Sequence, residues 1–290
     1  MQANRPRVQS FDAITSINSG QAFLWQKLGD AWYGIDGQNV LKISFRSGEA
    51  QFSSYPERQS WERDFFRLDD GLDDIQSGLS KDSLVASLFG KYRGLRLLRQ
   101  NPEQCLFSFV CASNTNIPMI RRMLSNMCRK FGKKLAFDGQ EFFTFPQASA
   151  INRASTSELR ACGLGYRTKA IKAAAQKITS GSLDLAQLSL ASYEEAKEQL
   201  LQVYGIGNKI ADCILLFSLE KLGAFPIDVW IARALAKHYP SLNECEIGEK
   251  LTPHQYEVVS EKMRRYFGKH AGYAQQYLFY DIRQDAGRGW

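Results

Sequence analysis

The sequence predicts an α+β fold, with an N-terminal antiparallel β-sheet lobe over residues 1–97 followed by an all-α body over residues 98–290. Short runs rich in aromatic and β-branched residues, broken by turn dipeptides, fill the first part. From about residue 98, apolar residues recur at helical spacing almost to the end. Charge separates the same two parts. Residues 1–97 hold 12 Lys/Arg and 12 Asp/Glu, whereas the remaining 25 Lys/Arg against 18 Asp/Glu place the whole excess of +7 beyond residue 97.

In the first part, residues 22–28, 31–35 and 40–46 read as strands joined by Gly29-Asp30 and Asp36-Gly37. Leu41, Ile43 and Phe45 alternate with Val40, Lys42 and Ser44, so one face is expected to be packed and the other at least partly solvated. Helical spacing begins near Pro56-Glu57, and Asp69 to Asp74 reads as an acidic loop. In the second part, Ile120, Met123, Leu124, Met127 and Phe131 form one stripe, begun by Asn116 and Pro118 and closed by Gly132. Leu135 to Phe145 reads as an irregular or short β connection. Ser155 with Glu158, and Ser192 with Glu195, have capping-box spacing ahead of the next two helices.

A basic body on a neutral lobe suits a polyanion-binding protein, because phosphate contacts supply most non-specific affinity for nucleic acid. With 44% hydrophobic residues in 290, the chain can bury a sizeable core. No run approaches the 18 consecutive apolar residues of a membrane span, and MQANRPRVQS lacks the apolar run of a secretory signal. A soluble, intracellular monomer is therefore expected, cytoplasmic in a prokaryote or nuclear in a eukaryote. The cysteines, at 105, 111, 128, 162, 213 and 245, form no CxxC pair and no Cys/His cluster. Reduced, mostly buried thiols are expected, with no metal site and no cofactor.

The most informative stretch runs from Leu200 to Ile214, within a helix-hairpin-helix at about 192–222. An apolar helix enters Gly205-Ile206-Gly207, and a second helix begins at once with Ile210, Ile214 and Phe217 on its inner face. Glycines two apart leave amides bare, and these join the open N–H groups of the helix start to make an anion site suited to a DNA phosphate. Lys209 falls in the first turn, where the helix dipole and burial both oppose protonation, so it is a candidate nucleophile. The alternative is an ordinary αα-turn with a solvated lysine. Nineteen residues on, Pro226-Ile227-Asp228-Val229 places a carboxylate at another helix start, either as an N-cap or beside the lysine as a charge stabiliser.

Gly205-Ile206-Gly207-Asn208-Lys209 followed by Pro226-Ile227-Asp228-Val229 resembles the helix-hairpin-helix, Gly/Pro loop and Asp signature of DNA glycosylases that also cleave at the abasic site. Four further segments resemble the 8-oxoguanine DNA glycosylase/AP lyase family, over residues 15 to 285. These are Ser19-Gly20-Gln21-Ala22-Phe23-Leu24-Trp25, Cys111-Ala112-Ser113-Asn114-Thr115-Asn116-Ile117, Gly163-Leu164-Gly165-Tyr166-Arg167, and Ala271-Gly272-Tyr273-Ala274-Gln275 with Phe279 and Asp281-Ile282-Arg283-Gln284. Only Cys245 follows Asp228, which argues against the iron–sulfur branches of the superfamily.

The resemblance implies a helix-hairpin-helix glycosylase body that binds 8-oxoguanine-containing double-stranded DNA and flips the damaged nucleotide out of the stack. It makes Lys209 and Asp228 catalytic. Asn114, Tyr166 and Arg167 would fill the gap in the duplex, with Gly205 and Gly207 on the backbone. Cys213 and Phe279 would be the walls of the base pocket and Gln275 its edge reader, while the Gly20 carbonyl would accept from the lesion's N7–H, which guanine lacks. Two departures stand out. Trp230 occupies a place where many members have His, and Met119 one where animal and fungal members have an arginine that donates to the estranged cytosine. A thioether cannot donate, so relaxed opposite-base selectivity is expected unless Met119 belongs to the core stripe with Met123. A glycosylase for another lesion and a non-catalytic DNA-binding protein are the competing readings.

Overall fold

The computed structural model describes residues 11–240 and 251–287; residues 1–10 and Cys245, used in the readings above, lie outside them. Four antiparallel strands, β1 (Trp25–Leu28), β2 (Ala31–Asp36), β3 (Asn39–Arg46) and β4 (Glu49–Tyr55), make a meander in sequence order. The sequence reading has three of them. It omits β4, whose Ala50, Phe52 and Ser54 alternate with exposed residues but are only half-buried, so that a single large apolar side chain marks its inner face. Its turn, Ser47-Gly48, takes positive φ at both positions, the geometry that lets a two-residue hairpin follow the strand twist.

The two faces of the sheet have different partners. Trp25, Leu41 and Ile43 pack with Trp61, Phe65 and Phe66 in one cluster. On the other face, Ala31, Tyr33 and Val40 meet Phe142, with Leu135 and Phe137 against them. Those last residues belong to a hairpin of β5 (Lys134–Phe137) and β6 (Gln140–Phe143), so the expected β connection is a cover for the second sheet face. Phe45, expected on the packed face, is 50% exposed because it sits beside the Ser47-Gly48 turn at the end of β3.

Helices begin before residue 98. Trp61–Phe65, Leu72–Leu79 and Ser83–Lys91 lie in the first part, and the acidic segment ends as the first turn of Leu72–Leu79, where Asp73 and Asp74 oppose the positive dipole end. Ile75, Leu79, Val85, Leu88 and Phe89 join the main core of the helical body. Phe89 stacks on Tyr277 at 4.2 Å, which lays Ser83–Lys91 along the Ala271–Asp285 helix.

The helix starts follow local chemistry. Asn116 Oδ1 accepts from the Met119 amide ahead of Ile117–Phe131, and both capping boxes, at Ser155 and Ser192, are formed. Ile120, Met123, Leu124 and Met127 are buried, as their spacing predicts. Met119 is 40% exposed and does not belong to that stripe. Five cysteines, 105, 111, 128, 162 and 213, are free and buried. Among the described residues no helix is long and apolar enough to cross a membrane.

Candidate active site

The hairpin joins Tyr193–Leu201 to Asn208–Ser218. Gly205 has φ +85°, and a Cβ there would meet that of Ala170 at 2.4 Å, so both backbone and space demand glycine. Gly207 is the N-cap and is exposed, with open space where a Cβ would stand. Ile210, Ala211, Cys213 and Ile214 bury the inner face. Lys209, half-buried, stands with Nζ 5.2 Å from the ring centroid of Phe109.

Asp228 is the N-cap of Val229–His238. Its Oδ1 accepts from the amides of Trp230 and Ile231, both at 2.9 Å. The cap and the cleft are compatible roles, since a single cleft of about 640 Å³ is lined by Lys209, Asp228, Cys213, Gln275, Phe279 and Gly20. Asn114 and Gly207 also line it. Burial pushes the Cys213 thiol up to about 12, the Lys209 charge opposes that shift, and the Asp228 charge reinforces it. The thiol is therefore a neutral wall that feels both groups.

The opposite wall comes from Ala271–Asp285. A Cβ on Gly272 would strike Leu216 Cδ1 at 2.1 Å and Leu222 O at 2.9 Å, so glycine is what lets this helix close on the one bearing Lys209. Gln275, 5% exposed, donates through Nε2 to Pro226 O at 3.1 Å, and its buried Oε1 has no partner among the described residues. A buried acceptor left without a donor is costly, which makes Gln275 a candidate for completion by a ligand in this cleft. Gln276, not anticipated, donates to Ser19 O at 2.9 Å and so ties the Gly20 turn, φ +86°, to the same helix.

Four predicted residues, Met119, Tyr166, Arg167 and Gly205, lie outside the cleft lining. Tyr166 is 64% exposed and Arg167 is 9% exposed, the reverse of a core tyrosine beside a surface arginine. Tyr166 Oη and Arg167 Nε both donate to Ser113 O, at 3.1 and 3.2 Å, and the guanidinium stacks 4.5 Å from the tyrosine ring. Arg167 Nη2 also donates to Ser113 O and reaches Asn114 O at 3.3 Å. Together they hold Asn114 in the left-handed region, φ +47°, exposed beside the cleft.

Sequence reasoning missed Arg283 as a lining residue. Its guanidinium lies 5.5 Å from the Trp230 ring and 5.7 Å from that of Phe279. The i, i+4 spacing of Phe279 and Arg283 is the signal that was present. Arg233 lies 5.0 Å from Trp230, so the residue standing in for His is flanked by two guanidiniums.

Residues 5–106 match the model of the 8-oxoguanine DNA glycosylase N-terminal domain, and residues 107–258 match that of the HhH-GPD superfamily base excision DNA repair proteins. The chain is 34% identical over 277 residues to the N-glycosylase/DNA lyase OGG1 of Arabidopsis thaliana, covering 90% of this chain and 74% of the relative. It is 31% identical to a probable N-glycosylase/DNA lyase of Methanothermobacter thermautotrophicus, covering 76% and 73%. The solved Clostridium acetobutylicum 8-oxoguanine glycosylase/lyase, in complex with double-stranded DNA carrying cytosine opposite 8-oxoG, superposes with a TM-score of 0.85 at 29% identity, over 95% of this chain and 93% of that one. With the hairpin, the aspartate cap and the cleft between them, these matches show that the chain belongs to the HhH-GPD superfamily of base excision DNA repair enzymes and, within it, to the 8-oxoguanine DNA glycosylase/lyases.

Proposed function

We propose that this chain excises 8-oxoguanine from duplex DNA and then cleaves the strand at the abasic site, with Lys209 as nucleophile and Asp228 as its carboxylate. One observation carries the reading. Lys209, Asp228 and Gln275, whose buried Oε1 has no partner among the described residues, line the same cleft, so an amine, a carboxylate and a base-edge amide are gathered for one nucleotide. The lesion lies between Cys213 and Phe279. Its N1–H and exocyclic amine are donors that suit the unpaired Oε1, and its N7–H donates to the Gly20 carbonyl. The hairpin amides at Gly205 and Gly207 hold a backbone phosphate, and Asn114 with Tyr166 and Arg167 occupies the space left in the stack.

In the reaction, the Lys209 amine gives up a proton and attacks C1′ as the C1′–N9 bond breaks, and the base leaves with the electron pair and gains a proton. Asp228 stabilises the positive charge that develops on the sugar, its position fixed by the two cap bonds to Oδ1. Ring opening gives a Schiff base on Lys209, and loss of the 2′ proton expels the 3′ phosphate by β-elimination. Exposed Met119 faces the estranged base and accepts any partner by contact, so selectivity for the opposite base is relaxed. The partner is damaged double-stranded DNA, and the enzyme acts as an intracellular monomer.

Borohydride trapping on duplexes with one 8-oxoguanine tests this reading. A covalent adduct is expected on that duplex and not on one with an oxidised pyrimidine. An adduct on the pyrimidine duplex alone would move the assignment to another lesion, and tight binding with no adduct on either would leave a non-catalytic DNA-binding protein.

A further inference from the structure

We propose that Tyr256 is a positioning residue for this chemistry, its hydroxyl bracing the Asp228 loop against the helix that carries Lys209. The proposal rests on the lysine and aspartate roles above but not on which base is excised. The Ile227 amide donates to Tyr256 Oη at 3.2 Å, and that hydroxyl donates to Asp212 Oδ2 at 2.7 Å. Ile227 immediately precedes Asp228, and Asp212 follows Lys209 by three residues on the same helix. A side chain from a third element, Pro253–Phe267, thus spans the two elements whose separation decides the reaction. Tyr256 also lines the cleft.

The bridge is anchored at its far end. Asp212 is fully buried, and its Oδ1 takes the Tyr193 hydroxyl at 2.5 Å and Lys197 Nζ at 3.3 Å. Lys197 also pairs with Glu257 at 3.0 Å, which carries the network out to solvent. Burying a carboxylate is unfavourable unless cation and hydrogen-bond donors surround it, so this network has one satisfied arrangement. A group tied to it inherits that placement. Phe at 256 would pack as well but would leave the Ile227 amide without this acceptor, in a segment with no regular hydrogen bonding. Freedom of about 1 Å at a reacting group costs up to about a hundredfold in rate.

The test compares Tyr256→Phe with the parent under single turnover, on an 8-oxoguanine duplex and on a duplex with a preformed abasic site. Tyr266→Phe is the control: it removes a hydroxyl from the same helix that bonds Asp82 at 3.1 Å. For Tyr256→Phe the maximal rate is expected to fall about tenfold or more on both substrates, with the half-saturating concentration within about twofold. Tyr266→Phe should keep the parent rate. A Tyr256→Phe rate within about twofold of the parent would overturn the proposal, as would a proportional loss of rate and binding, which is what a general packing role gives. If Tyr256→Phe does not fold, Asp212→Leu decides, since it removes the oxygen that accepts from the Tyr256 hydroxyl; a parent-like rate there also overturns it. A parent that cleaves abasic DNA but ignores 8-oxoguanine defeats the base assignment alone, and the brace is then judged on the abasic substrate.

Discussion

Gln275 Nε2 donates to the carbonyl of Pro226 at 3.1 Å, two residues before Asp228. The side chain proposed to read the base therefore also holds the loop that carries the carboxylate. Its Oε1 is buried without a partner among the described residues, in a side chain that lines the cleft. The proposed recognition and chemistry thus share one hydrogen-bonded segment, and variants in the cleft should separate the steps as follows.

Lys209→Gln is expected to abolish base release and the borohydride-trapped adduct while lesion-duplex binding survives. The hairpin amides proposed to grip the backbone belong to Gly207 and its successors and do not depend on the amine. Adduct formation by this variant would mean that another amine does the chemistry.

Asp228→Asn keeps the oxygen that caps Val229–His238 and removes the charge. The single-turnover rate should fall by about 10² or more, with a much smaller change in melting temperature. A near-parent rate would reduce Asp228 to its cap.

Phe279→Ala removes one wall of the base pocket and the ring on which Arg283 lies. Loss of stacking should cost about 1 to 3 kcal/mol of lesion recognition, read as the ratio of affinities for lesion and undamaged duplex in a Lys209→Gln background. An unchanged ratio would place the base elsewhere.

Met119 stands exposed at the first turn of its helix, at the position proposed to face the estranged base. One lost donor pair removes about 1 to 3 kcal/mol of discrimination. Excision opposite A, G and T should therefore lie within about tenfold of that opposite C, and Met119→Arg should widen the gap. Single-turnover rates on four duplexes decide it, and a parent that prefers cytosine by roughly a hundredfold would shift the selectivity onto Arg167.

Glu220 ties the end of the nucleophile helix to the β lobe, accepting from Arg67 at 2.7 and 2.9 Å and from Arg99 at 3.0 Å. Burial alone would raise its carboxyl, but the two guanidiniums outweigh that and hold it below its ordinary value. A carboxylate lowered in the folded state stabilises the fold fully above its unfolded pKa of about 4.3 and loses that contribution as pH falls through the folded value. The melting-temperature difference between parent and Glu220→Gln should be largest above about pH 5 and shrink toward zero below about pH 4. A difference that is flat across this range would assign the effect to packing.

What the sequence by itself determined is what local chemistry encodes. Gly205 and Gly207 mark the hairpin, Ser155 with Glu158 and Ser192 with Glu195 form their boxes, and the Ile120 to Met127 stripe is buried, because each pattern is written in residues two to four apart. Lys209, Asp228, Gln275 and Phe279 were legible as candidates from spaced motifs, yet nothing in their spacing says that they share a cleft. Tertiary structure decided that, through the glycine contact that lets the Gly272 helix close on Leu216. It also decided β4, which carries no buried residue of its own, and the cover of the second sheet face by Phe142. Arg167 turns inward and Tyr166 outward because a carbonyl 54 residues away in sequence, that of Ser113, satisfies the guanidinium. The Tyr256 bridge joins Asp212 and Ile227 across 44 and 29 residues, and pairings at such separation leave no periodicity to read, since they exist only once the chain has closed its loops.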